Sequence, residues 1–119
     1  MGGGNKKPQR LVTTSYIFGM ESMIGKTLIF NRKTAPGTWC PNSDYLEFYF
    51  QNVEKYLNDY IFERGYLSWE TLLNMIGMLA TPEEIESIRL YRSNNKKLRL
   101  NWRLQDPNEI NYILTIGEE

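Results

Sequence analysis

Three stretches and one scattered group have the residue types to do chemistry. Gly19-Met20-Glu21-Ser22-Met23-Ile24-Gly25-Lys26-Thr27 follows a strand-like run and ends in Gly-Lys-Thr, the ending of a phosphate-binding loop. Five residues separate its glycines where that loop needs four, because the backbone N–H groups must wrap phosphate at a fixed radius. A helix must also follow, so that its N-terminus faces the anion. Here Leu28-Ile29-Phe30 and a Pro/Gly loop come next, and the chain has no apolar strand ending in Asp to hold magnesium. Lys26 and Thr27 are therefore read as opening a strand.

Cys40, between Trp39 and Pro41, is the only cysteine, and the chain has no histidine. A thiol with neither a base to activate it nor a second thiol to resolve an oxidised form reads as packed or idle. The missing histidine also excludes Ser-His-Asp and Cys-His nucleophile pairs, His-ligated zinc and haem, and the usual proton shuttle near neutrality. The acids Asp44, Glu47, Glu54, Asp59 and Glu63 are spaced so as to scatter around a helix, which is the pattern of a solvated face and not of converging carboxylates. No catalytic residue, cofactor or metal site is assigned.

The strongest chemical feature is basic. Arg89, Arg92, Lys96, Lys97, Arg99 and Arg103 fall within fifteen residues, beside Tyr91 and Trp102. A basic hairpin after a helix, a turn and a second helix is the layout of a winged helix-turn-helix domain, with Thr81 to Leu90 as recognition helix and the hairpin bases on phosphates. Against nucleic acid stand Glu83, Glu84 and Glu86, which would open that helix against a polyanion. The discriminating observation is whether Arg89 to Arg103 form a continuous positive face or are interleaved with acids.

These groups need elements to hold them. Zero net charge, 14 bases against 14 acids in 119 residues, hides an uneven layout. Residues 1 to 33 carry a net +5, residues 34 to 88 a net −7 and residues 89 to 119 a net +2. The length fits one domain with a core that needs neither disulfide nor metal. No apolar run approaches the roughly 18 to 20 residues that cross a bilayer. Residues 1 to 10 are small, polar and basic, and read as a flexible tail; Gly2 suits N-myristoylation, but Lys6 stands where that motif wants Ser or Thr. One domain is expected over 11 to 119, in a cytoplasmic setting in the host cell or in a virion.

Val12 to Phe18 and Lys26 to Phe30 read as strands, and Arg32 to Asn42, with Pro36, Gly37 and Pro41, as a loop. Leu46, Phe50, Val53, Leu57 and Ile61 recur at steps of three and four, predicting a helix from Tyr45 to Arg64, with Asp44 as its cap and Gly65 as its left-handed stop. A second helix is expected over Trp69 to Ile76 between Ser68 and Gly77. A third is expected from Thr81-Pro82-Glu83-Glu84 to Leu90. The period then changes to two: Leu98, Leu100, Trp102 and Leu104 alternate with Lys97, Arg99, Asn101 and Arg103, and Ile110 to Ile116 returns after a turn. The fold class is α+β, a small antiparallel sheet with two or three packed helices in a possible winged-helix-like arrangement.

The chain is 13% aromatic. Most of its rings must form the core of a domain this small, and a core role is the first reading of Trp39 and Trp69 taken singly; yet these two, each in or beside a turn, and Tyr49 and Tyr56 on the long helix are the candidate interface rings, since exposed aromatics anchor contacts.

The order of Lys26-Thr27-Leu28-Ile29-Phe30, Phe50 to Asn58, Glu63-Arg64-Gly65-Tyr66-Leu67-Ser68, Leu72 to Met78, Leu98 to Trp102 and Tyr112-Ile113-Leu114-Thr115-Ile116 resembles an uncharacterised domain family of phages, prophages and mobile elements of Gram-positive bacteria. The resemblance covers roughly residues 26 to 116 and implies a small accessory domain, in some members attached to a membrane anchor, with no assigned enzyme activity. The chain departs from the family in lacking an anchor and in a more helical Pro82 to Arg92. The expectation is a non-enzymatic protein that binds another protein, as a virion or assembly component or an inhibitor of host defence. A winged-helix nucleic-acid binder is the alternative, and self-association is open.

Overall fold

The computed structural model describes residues 21–82, 89–92 and 95–119, with Glu21, Arg89, Leu90 and Arg92 described by their backbone alone. The expected basic tail and the strand at Val12 to Phe18 lie outside the described residues. The elements are β1 (Glu21–Ser22), β2 (Thr27–Phe30), α1 (Ser43–Arg64), β3 (Tyr66–Ser68), α2 (Trp69–Ile76), β4 (Arg89–Arg92), β5 (Leu98–Asp106) and β6 (Asn111–Glu118). They make an α+β fold with two three-stranded sheets, ordered β1-β4-β3 and β2-β6-β5.

The second sheet is antiparallel throughout, with Leu28 opposite Leu114 and Trp102 also opposite Leu114 from the other side. Alternation puts Leu98, Leu100, Tyr112, Leu114 and Ile116 on the buried face, where they meet Leu46, Phe50, Val53, Leu57 and Ile61 of α1. Phe50 is the hub: its ring lies 5.0 Å from Phe30 and 5.1 Å from Tyr112, both edge-to-face, and 5.9 Å from Trp102. One apolar cluster runs from Met23 to Ile116 and takes in α2 through Trp69, Leu72, Leu73 and Ile76.

The long helix starts two residues earlier than its apolar spacing predicts. Asn42 is the cap, with extended backbone and a side chain that accepts the Tyr45 N–H at 3.0 Å; Asp44 lies inside the first turn, where its charge faces the helix's positive end. Gly65 closes the helix at φ 84°, as read from the sequence. The α2 boundaries also agree: Ser68 accepts from the Thr71 N–H, and Gly77 turns left-handed at φ 86°.

The expected third helix does not reach Leu90. Arg89 and Leu90 are in β4, paired in parallel with Glu21 and Ser22 and in antiparallel with β3, while residues 83 to 88 of that expected helix lie outside the described residues. Local capping chemistry at Thr81-Pro82 marks a helix start but cannot say where tertiary pairing takes over. The hairpin is likewise not a free wing. β2 pairs along the outer edge of β6, and α1 packs on the hairpin's apolar face. Its turn falls slightly later than predicted, after a bulge between Leu104 and Asp106, with Ile110 in the left-handed region at φ 55°.

Candidate contact surfaces

The residues singled out in the sequence separate into three places. The first is the outer face of α1. Burying Leu46, Phe50, Val53, Leu57 and Ile61 turns the opposite side of the helix to solvent, and that side carries large rings: Tyr45 is 54% exposed, Phe48 61%, Tyr56 60% and Phe62 89%. Near its C-terminal end Tyr56, Tyr60, Phe62 and Met75 line a shallow hollow rimmed by Asp59 and Glu63, with the Arg64 guanidinium 5.0 Å from the Tyr60 ring. Of the candidate interface rings, Tyr56 is exposed on this face.

Tyr49 and Trp69 are not. Tyr49 is half-buried and its hydroxyl donates to the Ile76 carbonyl at 2.8 Å, so it straps α1 to the end of α2; burial raises its pKa above the ordinary tyrosine value. Trp69 is buried in the core, because the first turn of α2 faces inward although it follows a cap. Trp39 is half-buried: its indole N–H donates to the Ile110 carbonyl at 3.0 Å, the Arg32 guanidinium lies 5.8 Å from its ring, and it lines a hollow with Asn31, Asn108 and Glu109. It fastens the 32–42 loop to the hairpin turn.

The second place is the solvent face of β5. Arg99 and Arg103 project from it, as the period-two reading required, and exposed Lys97 immediately precedes the strand. Acids interrupt the positive charge. Arg99 Nε lies 3.4 Å from Glu54 Oε1 and its Nη1 lies 3.8 Å from Glu119 Oε2, and Lys96 Nζ lies 3.9 Å from Glu118 Oε1. Lys97 and Arg103 make no ion pair with the described residues. Arg89 and Arg92 belong to the other sheet, so the six bases do not share one strand pair.

The third place was not foreseen: the edge of β5. In the β5–β6 ladder the odd residues of β5 face β6, as the bond from the Glu119 N–H to the Lys97 carbonyl fixes, so Leu98, Leu100, Trp102 and Leu104 turn their peptide groups outward. Asn58 of α1 answers Leu98 twice, donating to its carbonyl and accepting its N–H, both at 2.9 Å. Glu54 accepts the Leu100 N–H at 2.8 Å. The signal was present as two polar residues, Glu54 and Asn58, one turn apart on a helix flank, but nothing local told their use from that of any solvated pair.

Two tyrosines donate to carboxylates across the fold. Tyr112 reaches Glu47 Oε2 and Tyr91 reaches Glu118 Oε2, each at 2.8 Å. Burial, reinforced by the acceptor carboxylate, pushes Tyr91 up to about 12 and raises Tyr112 further still. Cys40 is half-buried against the core with no second cysteine near it. Lys26 and Thr27 lead into β2, and the Gly25 N–H donates to the Ile116 carbonyl at 2.6 Å, so that amide belongs to the sheet and not to an anion site. No group of three or more acids and cysteines is placed to share a metal ion among the described residues, and no helix there is long and apolar enough to cross a membrane. No family model, curated protein or solved structure matches the chain.

Proposed function

We propose that the protein works by binding another protein through the outer face of α1, as a small accessory component of a phage or mobile element. The observation that carries the reading is the set of four rings, Tyr45, Phe48, Tyr56 and Phe62, held in water by a helix whose other side is fully committed to the core. Rings kept in solvent cost solubility and gain nothing in the fold, and they are the side chains that anchor contacts. Asp59 and Glu63 beside the hollow at Tyr60 suit a partner with an apolar side chain flanked by bases. The resemblance over residues 26 to 116 is what suggests the phage source and the roles of virion component or inhibitor of host defence.

The bases of β5 lend less support to the nucleic-acid alternative, because Arg99 and Lys96 already face Glu54, Glu118 and Glu119. The test is selection of a random peptide library on the immobilised protein. Enriched binders should carry an apolar or aromatic residue flanked by Lys or Arg. They should lose about 30-fold in affinity on Tyr56→Ala or Phe62→Ala, the size of a hot-spot truncation. Binders indifferent to both substitutions would sink the reading. Salt-sensitive binding to duplex DNA that disappears in Lys97→Glu/Arg99→Glu would replace it with the alternative.

A further inference from the structure

We propose that the open half of the β5 edge, from Leu100 to Leu104, binds an extended acidic segment of a partner protein as a fourth strand of the β2-β6-β5 sheet. The surface is separate from the outer face of α1, and the proposal stands whether or not that face is a contact.

Among the described residues the edge is guarded along only part of its length. Asn58 occupies both outward groups of Leu98, and Glu54 takes the N–H of Leu100. Beyond that point α1 leaves the edge and crosses toward the middle of the sheet, where Phe50 meets Phe30 and Tyr112. The Leu100 carbonyl, both peptide groups of Trp102 and the Leu104 N–H consequently have no hydrogen-bond partner among the described residues. At the opposite edge of the sheet the side chain of Thr34 donates to the outward carbonyl of Ile29 at 2.8 Å, and the strand there is only four residues long. A groove of about 520 Å³ lies between the departing helix and the open edge, lined by Gln51, Glu54, Arg99, Leu100, Asn101 and Trp102. A strand edge with unpaired groups beside a groove is the geometry that accepts an added strand, with main-chain bonds giving affinity and alternate side chains giving specificity.

Charge chooses the occupant. The side chains flanking the open stretch on the solvent face are Arg99, Asn101 and Arg103, and Lys97 extends the series. A second copy of the chain added in antiparallel fashion would set these bases diagonally against their own equivalents, which is repulsive. A segment with carboxylates at alternate positions sets one beside Arg103, which has no ion-pair partner among the described residues, and another beside Arg99, whose guanidinium already faces Glu54 and Glu119, so Arg103 carries the preference for acids. The residues between those carboxylates would face the α1 side, into the groove beside Gln51 and Trp102. The recognised pattern is acid–apolar–acid in extended conformation, about five residues long, since Asn58 and Glu54 close the ladder at one end and the bulge at Leu104/Asp106 closes it at the other.

The experiment uses end-capped peptides TEVEVT and TKVKVT with the full chain, read by amide hydrogen exchange in 15N NMR spectra. TEVEVT should slow exchange at Trp102 and Leu104, and Arg103→Glu should weaken TEVEVT about tenfold while improving TKVKVT. Leu104→Pro, which deletes one outward N–H at an edge position where proline is tolerated, should weaken TEVEVT with the fold intact by circular dichroism. Phe62→Ala should leave TEVEVT binding unchanged, which separates this proposal from the reading of α1. Absence of protection at millimolar peptide, equal protection by both peptides, or shifts confined to the outer face of α1 would each overturn it.

Discussion

Asn58 and Leu98 form a two-way hydrogen-bonded pair, amide to peptide, in which a helix side chain takes the place of a neighbouring strand. Its second N–H donates to the Glu54 carbonyl at 3.0 Å, so the amide is held in one orientation. Asn58→Ala leaves two peptide groups to find water at a partly covered edge. The expected cost is about 1–3 kcal/mol of unfolding free energy in urea denaturation. The variant should also self-associate more readily, because the unpaired edge grows by one residue pair; sedimentation velocity reads that directly.

Glu54 does two jobs that substitution can separate. Its Oε1 accepts the Leu100 N–H and lies near Arg99. Glu54→Gln keeps an acceptor and loses the charge, so the loss should be at most about 0.5–1 kcal/mol and should shrink with added salt. Glu54→Ala should cost about 1 kcal/mol more, independent of salt. Equal losses in the two variants would mean that the charge, and not the bond to Leu100, is what matters.

Gly65 and Gly77 end the two helices at nearly the same positive φ, but their surroundings differ. A Cβ on Gly65 meets nothing within 4 Å; one on Gly77 would lie 2.5 Å from Thr38 Cγ2. The Thr38 hydroxyl donates to the Gly77 carbonyl at 3.0 Å, so that side chain is not free to swing aside. Gly65→Ala should cost about 1 kcal/mol from backbone conformation alone, and Gly77→Ala clearly more, measured as the difference in unfolding midpoint between the two variants.

Stability should fall in alkali. Tyr91 keeps its proton up to about pH 12 in the folded chain against an ordinary value of 10, and Tyr112 is shifted in the same direction. Between those values the unfolded chain releases protons that the native state holds, so stability fully present below pH 10 is lost as pH rises through 12. Tyr91→Phe should lose about 1 kcal/mol at neutral pH with its hydrogen bond to Glu118, yet show a shallower decline above pH 10. An unchanged slope would show that Tyr91 does not contribute to the transition.

What could be read beforehand was set by local physics. The 3.6 spacing of Leu46 to Ile61, the Ser68 and Gly77 boundaries of α2 and the alternation of Leu98 to Leu104 each follow from side chains a few residues apart. The misplacements share a cause. Asn42 and Asp44 are both good caps, and only the geometry of the loop before them chose Asn42. Leu90 followed a sound helix start but is held in β4 by pairing with Ser22 and Ser68. Trp69 and Tyr49 have the residue type of interface rings, and what turns them inward is the apolar face that α2 brings against α1, a contact between segments that no local window contains. The candidate surfaces divide the same way: Tyr56 and the bases of β5 were visible as residue types, but the half-guarded edge exists only because a helix departs from a strand forty residues away along the chain.

The strand order β2-β6-β5 also dictates a tempo. The β5–β6 hairpin and α1 are built from near neighbours and can form within microseconds, but β2 pairs Thr27 with Thr115 and β1 pairs Glu21 with Arg89. Both pairings close long loops, and the central strand β6 is synthesised after either of its neighbours. Docking of the N-terminal strands is therefore the step expected to be slow in refolding kinetics, with β6 lacking a partner on one side until it occurs. A chain caught at that stage can accept another molecule's β2, so refolding yield should fall as protein concentration rises, with exchange of the first strands between copies as the side product.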